Sequence, residues 1–77
     1  MKQLTALTNR ETLSNGKSIY VALCPELDIA SQGDSREEAL ANLKEAVEGF
    51  FSVVDRSEIE RRLDQGAIVS TLEVAIA

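Results

Sequence analysis

The sequence predicts an α+β domain: an antiparallel three- to four-stranded sheet with one long helix packed on one face, in the order β-β-β-α-(short α)-β. Three observations carry this. Residues 18–24, SIYVALC, combine β-branched and aromatic side chains and are apolar on both faces, the composition of a strand covered on two sides. Asn15-Gly16 precedes that run, and Asn-Gly between two strand-like segments is the strongest short hairpin signal. Ser35-Arg36-Glu37-Glu38 opens a stretch whose apolar residues recur every three or four positions, as in a capped amphipathic helix.

The chain of 77 residues fits one domain, with no separate DNA-binding module expected, and 44% hydrophobic residues against 27% charged ones exclude disorder. A domain this small buries a limited core, so covering a sheet face by self-association would add stability. The net charge of −5 disfavours binding of phosphate backbones, whose affinity comes from Lys and Arg. It suits solubility, and it would also steer a basic protein partner. Met1-Lys2 leads into polar residues, and no segment reaches the ~20 apolar residues of a membrane span. The cytoplasm is therefore the expected compartment.

Residues 1–13 alternate weakly and read as the first strand. A two-residue loop at Asn15-Gly16 would set Leu7 opposite Cys24 and Glu11 opposite Tyr20. That register faces Thr8, Arg10 and Thr12 towards Leu23, Val21 and Ile19, so the first strand is an edge or the loop is longer. In the second strand Ile19, Val21 and Leu23 form one face and Tyr20, Ala22 and Cys24 the other. With one helix available as cover, the Tyr20/Ala22/Cys24 face is expected to meet a second subunit or another partner.

Pro25 ends or kinks this strand, and residues 26–31 read as a third, with Leu27 and Ile29 inward. Gly33 marks a turn. The long helix starts at Asp34 or Ser35 and carries Ala39, Leu40, Leu43, Ala46, Val47, Phe50, Phe51 and Val54 as its apolar stripe. Gly49 weakens it unless another element packs closely there. Ser57-Glu58-Ile59-Glu60 reads as a second capping box, opening a short helix over 57–65 that Gly66 stops. Residues 67–77, AIVSTLEVAIA, read as a last strand with Leu72, Val74 and Ile76 on one face.

The chain has no histidine, which removes His-based triads, HExxH zinc sites and imidazole acid–base catalysis. Cys24 lacks a base to activate it and reads as a buried structural thiol. The carboxylates Glu11, Asp28, Asp34 and Glu73 show no pattern that would converge on metal ions. Gln32-Gly33-Asp34-Ser35 has one glycine and no following lysine, so it is no phosphate loop. Arg61-Arg62 is flanked by Glu58, Glu60 and Asp64 and makes a poor nucleic-acid reader. No enzyme activity, metal or cofactor is expected.

From Tyr20 to Phe50 the stretch YVALCPELDIASQGDSREEALANLKEAVEGF resembles the HicB-like antitoxin family. The resemblance lies in a strand broken by P-E-L, a strand ending in Q-G-D-S, and an E-E-A-L-x-N-x-x-E-A helix. It implies a partial RNase H-like fold in which Pro25, Glu26, Leu27, Gln32, Gly33, Asp34, Ser35, Glu38 and Ala39 act mainly as structural residues. It also implies a partner, a small basic mRNA-cleaving ribonuclease of the HicA type, which such antitoxins inhibit by binding. The P-x-L-P-G of many relatives is replaced here by Asp28-Ile29 after Leu27, which alters a turn. The other reading is a homo-oligomeric structural or regulatory protein of the same fold without a toxin partner.

Overall fold

The hairpin forms with one more loop residue than the shortest turn allows. A computed structural model describes residues 3–65 and 70–76. In it, β1 (Leu7–Thr12) and β2 (Ser18–Cys24) are antiparallel. Between them the Leu13 N–H donates to the Lys17 carbonyl at 2.7 Å and the Gly16 N–H to the Leu13 carbonyl at 2.9 Å. Gly16 sits at φ +84°, the left-handed position that closes a three-residue loop. The Asn15 side chain accepts the Lys17 N–H at 2.9 Å.

That extra residue shifts the pairing by one. Leu7 lies opposite Leu23, Asn9 opposite Val21 and Glu11 opposite Ile19, which corrects the two-residue-loop register. The strand order β1-β2-β3 also makes β1 an edge. Both conditions that reconcile its polarity with a sheet therefore hold.

Pro25, Glu26, Leu27 and Asp28 form the turn between β2 and β3 (Ile29–Gly33), so the third strand starts later than residue 26. The Leu27 N–H reaches the Cys24 carbonyl at 3.3 Å. Asp28 takes φ +54°, a conformation that Asp tolerates better than most residues. Leu27 points inward as expected, at 3% exposure.

Helix α1 (Arg36–Val53) begins where the capping box places it. Ser35 is the N-cap, and its hydroxyl accepts the Glu38 N–H at 3.1 Å. Glu37 and Glu38 lie in the first turn, where the helix dipole favours negative charge. Ala39, Leu43 and Val47 are buried, while Leu40 is at the rim. Helix α1 packs most extensively on β3, less on β2 and least on β1. A methyl group added to Gly49 would meet nothing within 4 Å, so among the described residues no neighbouring element demands the glycine.

The short helix α2 (Arg56–Asp64) is capped by Asp55, without a side-chain cap bond. The Ser57 capping box does not form, because Ser57 already lies inside the helix. Glu58 instead pairs with Arg61 and with Arg62, the latter at 3.0 Å. The Arg62 guanidinium lies 5.0 Å from the centre of the Phe50 ring, and Leu63 packs on the core.

Residues 70–76 are in no strand, and Leu72, Val74 and Ile76 are 86%, 73% and 97% exposed. The expected last strand is thus unformed over these residues: alternation makes a segment fit to join a sheet, but only a free edge in reach completes it. Residues 66–69 and 77, and with them the Gly66 helix stop, lie outside the described residues.

Candidate functional site

The face of β2 expected to meet a partner is the one the helix covers. Ala22 is 0% exposed and Cys24 1%, and both join Leu27, Ala39, Leu43 and Val47 in the core, with Tyr20 half-buried against them. Tyr20, Ala22 and Cys24 are therefore not an open surface. A helix settles closest over small side chains, and on this strand Ala22 and Cys24 are the small pair. Gly33 and Ala39 continue the same logic. A methyl at Gly33 would stand 2.7 Å from the Ala39 nitrogen and 2.9 Å from Glu38 Cβ.

The uncovered face carries Ile19, Val21 and Leu23, with Leu7, Asn9 and Glu11 across on β1 and Ala30 and Gln32 on β3. Its three β2 side chains are only partly buried by their cross-strand neighbours, and Leu7 is 42% exposed. The sequence already marks this row as apolar. It could not say which row the helix takes.

The motif residues frame the core. Pro25 starts the β2–β3 turn, and Glu26 leaves it to tie down the segment before β1: its carboxylate accepts the Thr5 N–H at 2.9 Å and the Thr5 hydroxyl at 2.8 Å. Gln32 uses its backbone carbonyl, which accepts from the Asn42 side-chain amide at 2.8 Å. Asp34 is exposed between β3 and α1.

Between residues 4–6, Cys24 and α1 lies an apolar groove of about 430 Å³, walled by Leu4, Ala6, Leu40, Leu43, Val47 and Phe51, with Lys44 and Glu48 at its lining. Nothing in the local sequence pattern points to this groove. It exists because α1 sits over β3 and β2 and leaves the β1 side of that layer open.

Burial pushes the Cys24 thiol above its ordinary value, and the nearby Glu26 charge adds to this, so at neutral pH it is neither a thiolate nucleophile nor a metal ligand. Glu26 moves the other way. Desolvation opposes the change, but the Thr5 hydroxyl and N–H, with its own N–H, hold its carboxyl below the ordinary 4.5. A depressed folded pKa contributes stability above the unfolded value and loses it as pH falls through the folded one. Wild type should thus exceed Glu26→Gln in urea midpoint at about pH 7, with the gap closing below about pH 4. A gap that stays constant with pH would refute the tether.

Among the described residues no three of Cys, Asp or Glu gather as a metal site. Glu11 lies on β1, Asp28 in a turn, Asp34 before α1 and Glu73 in the exposed 70–76 segment. Along the outer side of α1, Glu37, Glu38, Glu45 and Glu48 are exposed, against Arg36 and Lys44. No helix among the described residues is long and apolar enough to cross a membrane. These surfaces are suited to contact: an acidic helix, an apolar sheet face and an apolar groove.

The chain is similar to a UPF0150 protein of Helicobacter pylori strain J99, at 36% identity over 59 residues, which span 75% of this chain and 82% of the relative. No family model matches the sequence, and no solved structure matches it.

Proposed function

The chain belongs to the UPF0150 family, and on that premise we propose that it is a HicB-like antitoxin, binding and inhibiting a small basic ribonuclease of the HicA type in the cytoplasm. It acts by contact and without catalysis or cofactor. The observation that carries the reading is the continuous HicB-like stretch from Tyr20 to Phe50, which comprises β2, the turn, β3 and most of α1. The acidic side of α1 supports it, since a basic partner would be drawn to Glu37, Glu45 and Glu48 and would bind faster at low salt.

The test is co-expression with a HicA-type ribonuclease encoded in the adjacent reading frame. Rescue of growth and co-purification are expected. Glu45→Lys with Glu48→Lys, both on exposed positions, should slow association and make rescue fail while the fold persists. Absence of both rescue and co-purification with the wild-type chain overturns the proposal.

A further inference from the structure

Two unsatisfied features of this fold match one another. The first is the groove beside the free edge of β1. Strand β1 pairs only with β2, so its outer edge presents unpaired N–H and C=O groups, the arrangement that accepts an added strand. Above that edge Leu40, Leu43, Val47 and Phe51 form an apolar wall with no side chain of the sheet against it. The second is the segment 70–76, STLEVAI, in which Leu72, Val74 and Ile76 alternate with Thr71, Glu73 and Ala75. Its three large apolar side chains are almost fully exposed. Period-two alternation is the pattern of a strand with one buried face, and a wet row of this kind marks a contact surface.

We propose that residues 70–76 of a second copy of this chain add as a strand along the outer edge of β1, seating Leu72, Val74 and Ile76 in the groove under α1. The exchange is reciprocal. Each copy offers the same segment and the same groove, so one two-fold axis satisfies both and leaves a closed dimer. The other candidate edge, β3, lies beneath the main contact of α1, and no comparable apolar wall stands beside it among the described residues. Lys44 on the groove lining complements Glu73, the one charge in the segment. The proposal stands without the ribonuclease partner, because it concerns only contacts between copies of this chain.

The experiment uses the full chain. Its mass in solution, followed by sedimentation across a range of concentrations, should be that of a dimer. Val74→Glu or Leu72→Glu, each in the exposed segment, should raise the dimer dissociation constant by about 30-fold or more, the size of losing a central anchor. Far-UV circular dichroism should remain that of the folded domain. Exchange between copies is then separated from docking of a chain's own segment by mixing the single variants Leu40→Cys and Val74→Cys under mild oxidation. A disulfide-linked heterodimer is expected. A monomeric wild-type chain overturns the proposal. So does a dimer indifferent to Val74→Glu, which would place the interface on the Ile19/Val21/Leu23 face. Cross-linking confined within one chain of the Leu40→Cys/Val74→Cys double variant would overturn it as well.

Discussion

Leu43→Ala is expected to lower the unfolding free energy by about 2–5 kcal/mol, the range for emptying a buried leucine site. Leu43 is 4% exposed and sits between Ala39 and Val47 on the stripe that presses against Ala22, Cys24 and Leu27. A domain of this length has about 4–12 kcal/mol of stability in total, so the variant should be partly unfolded at moderate temperature. Because Leu43 also walls the groove, some of its loss can be relieved by water or by local collapse. That places the effect in the lower half of the range. Urea titration followed by circular dichroism measures it, with Leu40→Ala as a control on the rim. A drop below about 1 kcal/mol would mean that the helix is not seated on the sheet as described.

Gly33→Ala should cost about 1–3 kcal/mol by overpacking. The added methyl would meet the Ala39 backbone nitrogen at 2.7 Å and Glu38 Cβ at 2.9 Å. The glutamate side chain can swing aside, but the amide cannot, because its N–H is committed to the Ser35 carbonyl at 2.9 Å. Either the first turn of α1 lifts away or the end of β3 bends. The conflict is steric. Amide hydrogen exchange should accelerate first in the opening turn of α1 and at the end of β3. Unchanged thermal stability together with unchanged exchange there would show that the helix does not approach the strand this closely.

The two substitutions probe one contact from its two sides, and they differ in how visible they are in the sequence. Leu43 is legible from spacing alone, because an amphipathic stripe identifies its buried positions whatever it packs on. Gly33 reads only as a turn. Its actual role is to let a backbone come close, a property of two elements that no local pattern records. The same division runs through the site. Pro25 and Leu27 behave as the sequence suggests, the one interrupting the strand and the other buried. The Thr5–Glu26 tether joins residues 21 positions apart, and nothing local announces it.

The face of β2 shows most plainly why the remainder was hidden. Both rows, Ile19/Val21/Leu23 and Tyr20/Ala22/Cys24, are apolar enough to be buried, so hydrophobicity could not choose between them. The smaller pair, Ala22 and Cys24, offered the available clue, since close helix packing favours small side chains. The hairpin loop posed a similar problem. Its glycine was evident, but one additional loop residue shifts every partner across the ladder.

By itself the amino-acid sequence determined the elements: strand 18–24 from its β-branched content, the cap at Ser35 from its hydroxyl, the helical stripe from its period, and the lack of imidazole chemistry from composition. These depend on neighbours within a few residues, where steric and hydrogen-bonding preferences act directly. Tertiary structure alone decided the pairing register, which row of β2 lies beneath α1, and that residues 70–76 remain unpaired. Those outcomes depend on which surfaces meet across long separations in the chain. Several apolar surfaces here could compete for one helix, and packing volume selects among them.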